Sequence, residues 1–395
     1  MKVLFLASSF PDKTNRSRGI FNYRFVKQMN KNSIEVNTFF FRIWKPGRKL
    51  ISSYIYHGVK VTQICLPFIP VDNYFILKIN NWIQRFFGWR LIKNLVQSPD
   101  IIHSVYLTTN GPIGAYWAKR LNIPHIAQAI GSDVNSDLIS MANGTHFTKL
   151  MKTIDGIITN SKDLERKIHH FYPFLVNIQT IYRGIHLDYG GKGKHENDKS
   201  TFKFLYLGGL TPYKRLQFGA NTKGGITLMK AWEKREKELH SLEAKLYYGG
   251  PESDKGLLNN WKNNLKYPDL IKIMGKIEPE EVKKYIADSD VIIIPSMEEG
   301  MPNLLLESQA SGKTVIGSDA GGIPEVIIDR KTGFIFKKGD ENELAALMVE
   351  AAKNRNEIEE MGKSAQERIF KFFNAANYSD KVLEFYSKIF IECVE

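Results

Sequence analysis

Two cysteines, Cys65 and Cys393, are all that this 395-residue chain holds. They are too few and too far apart for a disulfide framework or a zinc site, and their scarcity fits a reducing compartment. Long apolar runs are also lacking, so nothing in the sequence is read as spanning a bilayer. The opening Met1-Lys2-Val3-Leu4-Phe5-Leu6-Ala7 has an apolar core too short for a signal segment and suits a first strand. No Gly-x-Gly-x-x-Gly follows that strand, which removes the dinucleotide fingerprint. Acids are scarce in the front half. Through residue 185 there are 24 Lys and Arg against 9 Asp and Glu; the remainder has 31 against 33. A basic front and a neutral back suggest two units with different partners. No RNA- or DNA-binding module accompanies the charge, so nucleic acid is not among the expected partners. With 43% hydrophobic and 25% charged residues, the composition is that of a folded globular chain long enough for two cores.

What is present concentrates between Asp290 and Glu325. Val291-Ile292-Ile293-Ile294 is an apolar, β-branched run suited to a strand buried on both faces. Pro295 stops it, and the polar loop Ser296 to Pro302 carries Glu298 and Glu299. Asn303 to Ser311 reads as a helix, with Pro302 beside its first turn and Gly312 at its end. Thr314 to Ile316 is a second strand, followed by the loop Ser318-Asp319-Ala320-Gly321-Gly322. This βαβ order puts both loops at the carboxyl edge of a parallel sheet, where open α/β sheets bind ligands. A helix starting at Asn303 aims free N–H groups at whatever lies over the loop, an arrangement for phosphate or carboxylate. Gly300 and the Gly321-Gly322 pair permit close backbone approach. Glu299 and Glu307 offer only acceptors, so a ligand with hydroxyls beside phosphates, such as a nucleotide sugar, fits them. The plain alternative makes Glu307 an ordinary exposed helix residue and the glycines mere turns.

Glu299-Gly300-Met301-Pro302 through Glu307, followed by Gly321-Gly322-Ile323-Pro324-Glu325, resembles the donor-site signature of the retaining family-four glycosyltransferases. The resemblance implies an α/β fold of two Rossmann-like domains facing across a cleft (GT-B). The N-terminal, acceptor-binding domain would cover 1–187, joined by a terminal helix in 375–395 that crosses back to brace it. The donor-binding domain would cover 188–374, with Asp188 to Ser200 as a glycine-rich linker. It also implies a bacterial surface-polysaccharide type of enzyme, transferring a hexose from a UDP- or GDP-sugar to a hydroxyl of a glycan or lipid-linked acceptor with retention. By the same resemblance Glu307 holds the ribose and Glu299 the hexose hydroxyls. Lys223 and the Asn303 and Leu304 amides take the diphosphate, with Gly300, Met301 and Pro302 shaping the loop and Ile277 near the base. No Asp-x-Asp stands at a plausible donor loop, so neither metal nor other cofactor is expected.

Departures from the family pattern are specific. Gly209 stands where relatives usually carry an arginine, and Lys214 or Arg215 is the candidate replacement for that cation, the other reading being a solvated basic loop. Ile130 stands at a usual histidine position, leaving Asp133 as the nearest polar candidate for the site; its alternative is a helix cap. Gly19, near the start of a helix from about Phe21 to Asn30, lies in a loop that in relatives sits between donor phosphate and acceptor, or else is a plain surface loop.

One further stretch stands out. Tyr74 to Gln97 mixes aromatic and aliphatic residues with Lys78, Arg85, Arg90 and Lys93 and contains no acid. It reads either as a helix lying on an anionic membrane, giving a cytoplasmic protein held peripherally at the inner face, or as a helix packed on the sheet with its cations in water. Rivals to the transferase reading are a nucleotide-sugar epimerase or sugar phosphorylase on the same frame, or a catalytically inactive sugar-nucleotide- or membrane-binding module.

Overall fold

The computed structural model describes residues 1–394 except 17, 68, 70–73, 97, 139–147, 150, 186–199 and 211–221, and gives the backbone alone at 74–78, 81 and 394. The chain divides into two compact units, Met1–Tyr182 with Ala376–Glu395, and Arg183–Ala375. The first boundary falls a few residues before the expected one, and the expected linker lies almost wholly outside the described residues.

In the first unit the elements run β1 (Lys2–Ala7), α1 (Ile20–Lys31), β2 (Glu35–Ile43), β3 (Ile51–Tyr56), β4 (Val59–Leu66), α2 (Tyr74–Ile92), β5 (Ile101–Val105), α3 (Gly111–Leu121) and β6 (His125–Ala129). A single π-helical turn, Asp133–Leu138, precedes β7 (Gly156–Thr159), α4 (Lys162–Phe171) and β8 (Ile178–Thr180). Their sheet order is β3-β4-β2-β1-β5-β6-β7-β8, parallel except for the β3-β4 hairpin. Without β3, the parallel strands take the doubly wound order, with its switch point between β1 and β5. Alternation along β1 builds two cores: Val3, Phe5 and Ala7 face one side, Leu4 and Leu6 the other. The second side is covered by α2 and α3 through Ile92, Ile113 and Trp117.

The second unit runs β9 (Phe202–Leu207), α5 (Gly225–Ser241), β10 (Ala244–Gly249), α6 (Lys255–Asn263), β11 (Ile271–Gly275), α7 (Pro279–Ala287), β12 (Val291–Ile294) and α8 (Asn303–Ala310). It closes with β13 (Thr314–Ser318), the short α9 (Ile323–Val326), β14 (Phe334–Phe336), α10 (Glu341–Lys353) and α11 (Arg355–Phe372). The order β11-β10-β9-β12-β13-β14 is all parallel and reproduces 3-2-1-4-5-6 within the unit. Phe204, Trp232, Tyr248, Ile293, Phe334 and Met348 meet in one core.

The last helix, α12 (Ala375–Val394), belongs to the first unit apart from its opening residue. Tyr378, Val382, Phe385, Tyr386 and Ile389 pack into the core that holds Phe5 and Phe25. Two differences from the sequence reading have simple causes. Strand β3 was not expected because it lies at the sheet edge with no buried residue, so its pattern carries no period-two signal. Helix α2 ends at Ile92 rather than running to Gln97; Lys93, Asn94 and Leu95 form turns.

Candidate active site

In the second unit β9 and β12 are neighbours whose crossovers leave in opposite directions, so the loops after them flank the switch point. The structure clips these loops together. The Met297 amide donates to the Thr222 carbonyl at 2.9 Å. Gly224 has φ +73° and is so close to the other loop that a Cβ would lie 1.6 Å from the Pro295 carbonyl oxygen. Only glycine suits that backbone and that gap. Beside this contact the Lys223 ammonium pairs with Glu299, whose carboxylate also accepts from the Ser296 hydroxyl at 3.1 Å. Lys223 is 46% exposed and Glu299 12%, so the lysine sits over a carboxylate held largely within the loop.

The loop after β13 supports the same corner from the other side. The Ser318 hydroxyl donates to the Ser296 carbonyl at 2.6 Å, and the Gly322 amide to the Gly300 carbonyl at 2.9 Å. Gly321, at φ +54°, leaves no room for a side chain: its Cβ would lie 2.0 Å from the Glu299 carbonyl oxygen. Helix α8 begins beyond Pro302 with no side-chain cap and no acid in its first turn. Asn303 is exposed, Leu304 and Glu307 are half-buried, and Gly300, Met301 and Pro302 are buried beneath them. The start of α8, Glu299 and Lys223 thus share one corner, with Glu307 one turn into the helix.

Sequence reasoning missed what lies under the lysine loop. Tyr206 on β9 and Tyr248 on β10 are register partners with ring centroids 4.6 Å apart. The Tyr206 hydroxyl donates to the Lys223 carbonyl at 3.2 Å. Burial, chiefly, holds the Tyr206 hydroxyl well above its ordinary pKa, so it remains a donor. Gly208 and Gly225 are required above them, because a Cβ at either would strike a tyrosine hydroxyl at 2.4 or 2.3 Å. Asp254, fully buried, accepts from the Leu210 amide at 2.6 Å and fixes the turn that contains Gly209. Gly209 sits against Pro251, with space for a Cβ only 3.1 Å from that ring. The one sequence signal for this support was Gly249-Gly250-Pro251, which closes over Gly208 from β10.

Ile277 is half-buried and lies over Gly249, beside the same strand ends. Lys214 and Arg215 lie outside the described residues. A surface groove of about 490 Å³ elsewhere in the unit, lined by Lys245, Tyr247, Asn259, Lys262 and Lys272 among others, includes none of the residues of this corner. Among the described residues, no three His, Cys, Asp or Glu side chains cluster as a metal site.

The first unit holds the other two candidates. Gly19 is the left-handed residue before α1, pressed to within 2.3 Å (as a Cβ) of the Ser9 carbonyl oxygen. Asp133 is fully buried, and its oxygens accept from the amides of Leu107 at 2.8 Å, Ile130 at 3.0 Å and Gly131 at 2.8 Å. In this placement the carboxylate ties the loop after β5 to the loop after β6. Burial pushes its pKa up to about 6 against the pull of those amides.

Two Rossmann-like α/β units give the chain the GT-B fold. Residues 20–189 match the family model described as Glycosyltransferase Family 4, and residues 192–368 the one described as Glycosyl transferases group 1; the chain belongs to this group of glycosyltransferases. It is 25% identical to the N-acetyl-alpha-D-glucosaminyl L-malate synthase of Bacillus anthracis, over 95% of this chain and 93% of that one. It is 24% identical to the putative teichuronic acid biosynthesis glycosyltransferase TuaC of Bacillus subtilis, with 82% of each chain covered. Among solved structures, HepE of Anabaena in complex with UDP-glucose has a TM-score of 0.71 at 15% identity, covering 98% of this chain and 100% of that one.

Proposed function

We propose that the enzyme moves a hexose from a UDP- or GDP-sugar to a hydroxyl of a glycan or lipid-linked acceptor, with retention of configuration and without a metal. The observation that carries this reading is the corner at α8: an uncapped helix start, a half-buried Glu307 one turn inside, and the Lys223–Glu299 pair at the sheet's switch point. The diphosphate would lie on the Asn303 and Leu304 amides and on Lys223, where fixed positive groups stabilise the charge that builds as the nucleotide departs. Glu307 would accept from the ribose hydroxyls and Glu299 from the hexose hydroxyls. An arriving donor would draw Lys223 from Glu299 to phosphate, freeing the carboxylate for the sugar. No protein nucleophile is assigned; the acceptor attacks on the face the nucleotide leaves, and the departing diphosphate takes its proton.

The names of two similar proteins support the outline, one solved with UDP-glucose and one assigned to teichuronic acid biosynthesis. We place the reaction in the cytoplasm at the inner face of a membrane. Calorimetry with UDP and GDP tests the donor corner. Glu307→Ala should weaken binding of the preferred nucleotide at least tenfold, as expected when about 1.4 kcal/mol of charge-assisted hydrogen bonding is removed. Unchanged affinity would remove the α8 corner as the donor site. Release of free nucleotide only when an acceptor sugar is supplied separates transfer from epimerisation.

A further inference from the structure

Among the described residues no helix is long and apolar enough to cross a membrane. Helix α2 nevertheless has an outward face unlike that of a helix exposed to water alone. Its inner side is committed to the sheet: Asn80 and Ile92 are buried, and Gly88 lies against Phe41 and Trp117 with 3.1 and 3.2 Å to spare for a Cβ. Its outer side carries Trp82, 54% exposed, and Phe87, 42% exposed. The Trp82 and Phe86 rings lie parallel, 5.8 Å apart, with Phe87 edge-on to both and the Arg90 guanidinium 5.4 Å above Phe86. This is an ordered aromatic ridge with a cation at its end.

A second exposed group adjoins it. The turn after β2 presents Ile43, Trp44 and Leu50 to solvent among the exposed Lys45, Arg48 and Lys49. The Trp44 ring donates to the Arg48 carbonyl at 3.2 Å, which holds that turn in shape. Trp44 is bonded through its amide to the Leu66 carbonyl at 2.9 Å, and Asn80 of α2 clasps both backbone groups of Ile69 at 3.0 Å. These contacts bring the turn, the exposed Ile69 and the first turns of α2 to one corner, at the carboxyl ends of β2 and β4. From Ile43 to Gln97 the sequence has eight lysines and arginines and one acid, Asp72.

We infer that this corner is a docking surface for an anionic bilayer. Tryptophan and phenylalanine beside exposed cations match the interface zone of a membrane, where rings sit at head-group depth and lysine and arginine meet lipid phosphates. A protein partner would need a correspondingly acidic face, whereas the bilayer supplies negative charge and apolar depth together. The turn after β2 and the start of α2 lie at the carboxyl edge of the sheet, the edge of the loops that would take the acceptor, and the ridge runs back from there along the helix; this favours an acceptor carried on a lipid and in this respect rests on the proposed function.

The test uses the full chain with vesicles of phosphatidylcholine alone or mixed with phosphatidylglycerol, sedimented at low and high salt. Wild type should pellet with the mixed vesicles, less so in high salt, and remain in solution with phosphatidylcholine. Trp82→Ala/Phe87→Ala should lower the pelleted fraction at least fivefold, and the exposed-charge variant Arg90→Gln/Lys93→Gln should do likewise while leaving the buried face of α2 intact. Equal sedimentation of wild type and both variants would overturn the inference. So would light scattering that showed a wild-type dimer abolished by the same substitutions, which would give the surface to a second copy. UDP and GDP binding measured on every variant keeps the two proposals apart: intact nucleotide binding without vesicle binding sinks the docking surface alone, and vesicle binding without binding of either nucleotide sinks the donor reading alone.

Discussion

Gly224 and Gly321 show how much of the corner at α8 depends on single atoms that are missing. Each sits in the left-handed region and each has a carbonyl oxygen within 2.0 Å of where a Cβ would go. Gly224→Ala should therefore force the lysine loop away from Pro295, destabilise the protein by more than about 2 kcal/mol and abolish UDP binding. Chemical denaturation and calorimetry on the purified variant check this; a folded variant with normal affinity would contradict the close approach. Tyr206→Phe probes the support beneath. Loss of one buried hydrogen bond to the Lys223 carbonyl should cost about 1 kcal/mol and weaken UDP binding several-fold without altering Lys223 itself. Gly321 was legible in the sequence, where the Gly321-Gly322 pair read as permitting close backbone approach; Gly224 was not singled out. Tyr206 and Tyr248 were not legible either, since each reads as an ordinary inward strand residue. Only the pairing of β9 with β10 sets them side by side. The ties of Asp133 were hidden for a similar reason: one of the amides it binds lies 26 residues away in sequence.

Among the elements, α12 is fastened by more than apolar packing. His103 on β5 bonds the Tyr386 hydroxyl of α12, and Gln128 on β6 donates to the Tyr378 hydroxyl at 3.0 Å. His103 and His125 are fully buried, and desolvation pushes both down to about 3. In the unfolded chain they take protons near 6.5, so the stability their neutral forms permit is full above that pH and is lost as pH falls toward 3. Asp133 acts in the opposite sense. With a folded pKa of about 6, its burden on the fold is relieved as pH drops from about 6 toward 3.8. Asp155, which burial also raises, sides with Asp133, but the two histidine shifts are the larger and outweigh them. The melting temperature should therefore fall on acidification from pH 7 to 5, each histidine contributing a slope of at most about 1.4 kcal/mol per pH unit. A His103→Gln/His125→Gln variant should melt with a flatter profile; an unchanged slope would place the acid sensitivity elsewhere. Most long elements were legible from periodicity, but α6 was not. Gly256 and three asparagines weaken its helical signal, and only Leu258 and Trp261 are buried.

Across the whole molecule, one sheet topology occurs twice, and the chain's charge is divided between the two copies. Each unit has cores of its own, so a ligand confined to one should leave its mark there. UDP at a hundredfold excess over its dissociation constant should stabilise its host unit by about 2.7 kcal/mol. Hydrogen exchange should then slow in peptides covering 222–228 and 295–307, with no matching change around α2. Uniform protection of both units would argue against a donor site built by the second alone. The βαβ unit between Asp290 and Glu325 was readable from its order of strand, loop and helix, and the two Rossmann-like domains were implied by the family resemblance. The charge division was readable by counting, but which side chains share a surface required the Trp44–Leu66 and Asn80–Ile69 contacts.

That α12 completes the first sheet's cover while lying last in the chain has a consequence during synthesis. The opening 182 residues leave the ribosome with the aromatic side of β1 and β5 still bare, and the helix that will shield it is made only after residue 375. At roughly 5–20 residues per second, that wait lasts on the order of ten to forty seconds. The inserted second unit can close first, in one continuous piece. A nascent chain stalled or cut before Tyr378 would then release a finished second unit tethered to an unfinished first, a client for chaperones rather than an enzyme.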